Sequence, residues 1–241
     1  MLGWPVDGRV LAAAAIVAAA AGAGGTALVL GSPAPSHVVS MPAAGRSQAV
    51  LEVTSGTPVL DISVARLHGT LLRVSTPVSA PVRPVLSGSK LILLSLAGAA
   101  PGPGPGGSGY AVRVVLNAAV TWTINLAGGT ERTDVDLRGG KVGGIAETAG
   151  CDILNVSLPM PAGTVPFLLT GGASQFLLSL PGGVPVQVAA GGGAGDLSLD
   201  GQNQTGVAGG TVLTTPGWAT ATSRFAVNAT AGVSQLTVSR W

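Results

Sequence analysis

Charge is scarce in this chain. Only 9% of residues are Asp, Glu, Lys or Arg, while 46% are hydrophobic. That balance excludes a disordered polyelectrolyte. The net charge is +2, and the basic residues are scattered, mostly Arg, with no run. Nucleic-acid binding calls for a clustered basic footprint, often with interleaved aromatics. Aromatics make up only 3% of the chain, so the core must be built from Val, Leu, Ile and Ala.

Cysteine is nearly missing as well. Cys151 stands alone, so no intrachain disulfide forms. Between Gly150 and Asp152, at a strand start, it reads as a buried small hydrophobe rather than a bridging or reactive thiol. His37 and His68 have no catalytic partner in sequence, and with one cysteine they cannot furnish a zinc site. The Gly-x-Ser-x-Gly elbow is absent. Ser87-Gly-Ser-Lys90 matches Ser-x-x-Lys in form only. It lies between strands instead of opening a helix, and Lys141 is followed by Val-Gly, not Thr-Gly. The sequence therefore assigns no catalytic, cofactor-binding or metal-ligating residue, and no cofactor is expected.

Helical periodicity is lacking after residue 32. What the chain has instead is glycine (38 residues), proline (17 residues) and a repeat. From Trp122 onward, short apolar strands return about every ten to twelve residues. They run over Trp122–Leu126, Thr133–Leu137, Ile153–Leu158, Val165–Leu169, Gln175–Leu180, Val184–Val188 and Asp196–Leu199. Earlier strands are read at Ala49–Val53, Val59–Ile62, Leu71–Val74, Leu91–Leu94 and Tyr110–Val114. Gly, Pro, Ser or Thr bound each one. Sandwiches share this spacing, but very short strands with Gly-rich turns fit stacked rungs better, since Gly lets successive turns approach closely. The predicted fold is all-β, a single-stranded parallel β-solenoid of the β-helix kind. Period two places Phe176, Leu178 and Leu180 inside and Leu177 and Ser179 outside.

The amino terminus differs from the rest. Val10 to Gly31 is uncharged and almost wholly apolar. As a helix it covers ~30 Å, the hydrocarbon thickness. Arg9 precedes it, which orients the amino terminus inward. The expected organisation is a short cytoplasmic segment 1–9, a transmembrane signal anchor 10–31 and a Pro/Ala/Ser-rich stalk 32–48. An extracytoplasmic domain 49–241 follows, with a Gly/Pro-rich loop at 97–109. The competing reading is a cleaved signal peptide, with small-residue sites such as Ala19 to Ala23.

Several patterns invite a chemical reading. Arg132, Asp134, Asp136 and Arg138 share one strand face, with the carboxylates about 7 Å apart. Paired carboxylates hydrolyse glycosides at such separations. Here the flanking arginines neutralise the pair, no aromatic sugar platform accompanies it, and a self-compensated surface is favoured. Gly192-Gly-Ala-Gly-Asp196 approaches a calcium-binding nonapeptide, with Asp200 nearby. The match is one residue short and stands alone, so an ordinary Gly-rich turn is favoured. Leu158-Pro-Met-Pro-Ala-Gly163 is internal and lacks the Thr of a sortase signal. The sequons at Asn155, Asn203 and Asn228 are read as chance.

Asp134-Val-Asp-Leu-Arg-Gly-Gly140, Leu158-Pro-Met-Pro-Ala-Gly163, Thr170-Gly-Gly-Ala-Ser174 and Ser179-Leu-Pro-Gly-Gly-Val-Pro185 together resemble the toast-rack or adhesin-like domains of bacterial envelope proteins. The resemblance covers about residues 120 to 241, and more loosely starts at 49. It implies a right-handed β-solenoid in the cell envelope, in some members beside membrane-embedded envelope-stress regulators. It carries no functional residues. The expected function is non-enzymatic: a single-pass cell-membrane protein presenting a solenoid outside the cytoplasm to an envelope protein or glycan. An envelope-stress accessory or adhesin-like role fits that picture. Two alternatives stay open. One is a carbohydrate-active solenoid enzyme using Asp134, Asp136 and Arg138; the other is a structural spacer.

Overall fold

The structure is a computed structural model, and it describes residues 36–88, 90–95 and 109–241. Those residues form strands and turns and hold no helix. The expected anchor at 10–31 and nearly all of the loop at 97–109 lie outside the described residues.

Seven pairs of consecutive strands make up the body. They are β2 (Gln48–Val53) with β3 (Thr57–Ala65), β6 (Lys90–Ser95) with β7 (Ala111–Asn117) and β8 (Thr121–Leu126) with β9 (Thr130–Asp136). Next come β10 (Lys141–Glu147) with β11 (Cys151–Ser157) and β12 (Thr164–Leu169) with β13 (Ala173–Leu180). The last are β14 (Val186–Ala190) with β15 (Ala194–Leu199) and β18 (Arg224–Ala229) with β19 (Val233–Arg240). The first strand of each pair joins a nine-stranded sheet and the second a ten-stranded sheet. Within each sheet these strands run parallel to their neighbours. Parallel neighbours need a crossover connection. Here the strand of the opposite sheet supplies it, in place of a helix.

The order of the pairs is not the order of the chain. Along the sheets they run β6/β7, β2/β3, β8/β9, β10/β11, β12/β13, β18/β19, β14/β15. At each end the chain overshoots by one position, reverses through antiparallel strands and returns to fill the gap. The reversing strands are β4 (Thr70–Pro77) and β5 (Val82–Ser87) at one end. At the other they are β16 (Gln202–Val207) and β17 (Thr211–Thr214). Both sheets are therefore mixed. Two of the four outer strands are blunted as edges: Pro84 interrupts β5, and β17 is four residues long.

Alternation builds the core. Leu51, Ile124, Ile145, Phe167, Val227 and Val188 occupy one register row of the nine-stranded sheet, all buried. Leu60, Thr133, Leu154, Phe176, Leu236 and Leu197 face them from the ten-stranded sheet. Phe167 and Phe176 stack across the gap with centroids 4.8 Å apart. Phe176, Leu178 and Leu180 are buried and Leu177 is 40% exposed, as the period-two reading requires.

The stalk boundary needs correction. Ser36–Pro42, inside the segment read as a stalk, forms β1 and pairs antiparallel with β4 as an outermost strand of the ten-stranded sheet. Alternation explains it: Val39 and Met41 pack against the core while Val38 faces out.

Candidate binding face

Every strand of the ten-stranded sheet turns its second set of side chains to solvent. The face they make has two unlike halves.

The first half is charged. Arg113, Asp61, Asp134 and Asn155 sit side by side on β7, β3, β9 and β11. Strands lie ~4.8 Å apart, so Asp61 and Asp134 repel unless each finds a cation. Arg113 approaches Asp61 at 3.6 Å. Arg132 grips Asp134 with two bonds, Nε at 2.7 Å and Nη2 at 3.1 Å, and Asn155 Nδ2 donates to the same carboxylate at 2.6 Å. Burial pushes the Asp134 carboxyl up, but the hydrogen bonds from Arg132 and Asn155 outweigh it and hold it below its ordinary value. Asp136 is held low chiefly by the Arg138 side chain, which donates at 3.0 and 2.7 Å, with the Arg138 backbone N–H at 3.2 Å. Both carboxylates are thus committed to arginine partners.

Beyond Asn155 the same row continues as Leu177, Thr237, Ser198 and Asn203 on β13, β19, β15 and β16. Asn155 marks the boundary. Its Nδ2 is satisfied by Asp134, while its Oδ1 is buried with no partner. The neighbouring row runs Gln175, Gln235, Asp196 and Thr205. Asp196, Ser198, Asn203, Thr205, Gln235 and Thr237 line a shallow dish of about 350 Å³. None of these six side chains hydrogen-bonds to another described residue. In the sequence Asp196 stands out only through an incomplete calcium-repeat match, for which an ordinary Gly-rich turn is the favoured reading. Asp200, its supposed companion, instead caps the β15–β16 turn at φ 51° and binds Arg240 Nε and Nη2 at 2.7 and 2.8 Å.

A groove of about 740 Å³ runs along the edge of this face, where the chain turns from one sheet to the other. Its floor is backbone, because the turns stack too tightly for side chains. A Cβ on Gly171 would run into the backbone nitrogen of Gly150. Gly150 itself has φ +87°, a conformation that favours glycine. Beneath the groove lies Glu147, a buried carboxylate in an otherwise apolar row that sequence reading did not single out. Burial pushes its carboxyl up to about 6, against the pull of the Gly150 and Ala149 N–H groups at 2.8 and 3.1 Å. Cys151 is buried beside it. Burial first, then the Glu147 and Asp152 charges, push its thiol up to about 12, which favours the protonated form at neutral pH.

The other sequence candidates scatter. Lys90 opens strand β6 and pairs with Glu52 at 3.3 Å. His37 lies on β1 and His68 in the turn before β4. Among the described residues no three His, Cys, Asp or Glu side chains gather as a metal site.

The comparisons add one fold. No family model and no curated protein matches this chain. A solved structure does. The crystal structure of a putative cell adhesion protein from Clostridium sporogenes covers 86% of this chain and 99% of its own, with a TM-score of 0.54 and 16% identity. At that identity the likeness is one of fold.

Proposed function

We propose that this chain is a non-enzymatic, adhesin-like envelope protein, tethered by the 10–31 segment as a single-pass anchor with its strands outside the cytoplasm. The seven stacked strand pairs are read as a right-handed parallel β-solenoid of the toast-rack kind, closed at both ends by antiparallel strands. Right-handedness follows the strong rule for parallel crossovers. The observation that carries the function is the second half of the outer face. A row of amides and hydroxyls without internal partners is the surface of a binding protein, able to engage an envelope protein or glycan. The name of the clostridial neighbour supports the same reading. The Asp134, Asp136 and Arg138 set is assigned a structural role, since both carboxylates are committed to arginine.

Incubating the full chain with a polysaccharide panel separates binding from catalysis. Retention without new reducing ends or unsaturated products is expected. Cleavage lost in Asp136→Asn would replace this proposal with the enzyme reading. For the anchor, membranes should release the full chain only into detergent; a mature amino terminus between Gly22 and Ser36 would show cleavage instead.

A further inference from the structure

We infer that the dish on β19, β15 and β16 is a subsite for one neutral sugar ring, a hexose or N-acetylhexosamine. The inference rests on the adhesin-like reading and assigns its ligand.

The chemistry of the dish is that of a polyol partner. A sugar hydroxyl both donates and accepts. Asp196 is acceptor-only, while Gln235 and Asn203 each offer a donor and an acceptor and Ser198, Thr205 and Thr237 offer hydroxyls. All six lack partners among the described residues, so a ligand need not displace an internal bond. Strands about 4.8 Å apart and rows about 7 Å apart array these groups over the area of a single ring. The cavity, about 350 Å³, falls within the range of small-molecule clefts. Leu177, exposed beside Thr237 in the same row, offers an apolar contact for the C–H face of the ring.

The dish suits a protein partner poorly. Stable protein interfaces need ~800 Å² per partner and concentrate their energy in Trp, Tyr and Arg. No aromatic or Arg side chain lines this cavity. A charged sugar fits poorly too: Asp196 repels an acidic ring, and one carboxylate is a weak match for a polycation. Without an aromatic platform a single ring binds weakly, and multivalent display on a surface compensates.

The test is saturation-transfer NMR and calorimetric titration of the full chain in detergent. The probes are glucose, galactose, mannose, N-acetylglucosamine and N-acetylgalactosamine, with glucuronic acid as the charged control. At least one neutral sugar should bind, and glucuronic acid should bind at least tenfold more weakly. Asp196→Asn keeps the shape of an exposed, unpaired side chain and should weaken binding about tenfold or more. Gln235→Ala should do the same, with unchanged melting temperatures. Asp136→Asn, in the charged half, should bind sugar as the parent does. The inference is overturned if no neutral sugar binds, or if both dish variants bind like the parent. Adhesion of displayed chain to a protein surface that none of these sugars inhibits would also overturn it, while leaving the adhesin-like reading intact. Sugar binding without any adhesion would do the reverse.

Discussion

The ion-paired and open halves of the ten-stranded sheet share one backbone geometry and differ in who satisfies whom. In the charged half Asp134 and Asp136 each find an arginine two residues away in sequence, Arg132 and Arg138, and Asp61 finds Arg113 on the neighbouring strand. Those charges are compensated within the molecule. In the open half Asp196, Ser198, Gln235 and Thr237 find no partner among the described residues. Polar side chains of the first kind hold a surface shut, and those of the second leave it open to a ligand.

The largest effect expected lies under both halves. Phe176→Ala should cost about 3–5 kcal/mol in chemical denaturation, because the ring is fully buried and stacked on Phe167. Ser179→Ala, outward on the same strand, should stay within about 0.5 kcal/mol. Similar losses for the two would mean that the strand's facing is misassigned.

Carboxylates next sharpen the comparison through pH. Glu147 is raised from 4.5 to about 6 in the folded chain, so between those values the folded state holds the extra proton. Its contribution is present below about pH 4.5 and is lost as pH rises through 6, ~2 kcal/mol in all. Asp134 and Asp136 are lowered, so theirs is present above the ordinary carboxylate range and lost as pH falls below it. These half-exposed pairs contribute less than about 1 kcal/mol each. Glu147→Gln keeps an acceptor for Ala149 and Gly150. It should raise the melting temperature at pH 7.5 and leave it unchanged at pH 4. A drop at pH 7.5 would show that the carboxylate is needed as an anion.

Smaller still is the contrast between Asp134→Asn and Asp196→Asn. The first removes a charge from Arg132 and should destabilise by up to about 1 kcal/mol. The second should be silent in stability. Melting in excess calcium and in excess chelator should coincide; a calcium-dependent rise abolished by Asp196→Asn would mean that the dish holds an ion.

Much of this fold was legible in the sequence where strands alternate cleanly, as in β8, β11, β12 and β13. β10 was missed because a bulge at Gly143 breaks period two, so Val142 and Ile145 both face inward three residues apart. β16 carries no apolar alternation at all, being an exposed edge of Gln, Asn and Thr. Its signal was the Asp200-Gly201 pair, whose two positive φ angles make a tight hairpin turn. Strand order was illegible, since nothing local tells β14/β15 to leave room for β18/β19. The site followed the same rule. Charge patterning exposed Asp134 and Asp136, but the dish draws on β15, β16 and β19, two of which carried no recognised pattern. Only the register of the folded sheet brings Gln235, Asp196 and Thr205 together.

One paired measurement bears most directly on the claim that the open half binds and the ion-paired half does not. Thr237→Arg places a long cation in the open half, and Ser63→Arg places the same side chain in the charged half, on the exposed row that contains Asp136. Cells displaying each full chain at equal density would be scored for adhesion to envelope polysaccharide and envelope protein surfaces. Thr237→Arg should lose adhesion and Ser63→Arg should keep it. Loss in Ser63→Arg with retention in Thr237→Arg, or equal behaviour of the two, would contradict the account.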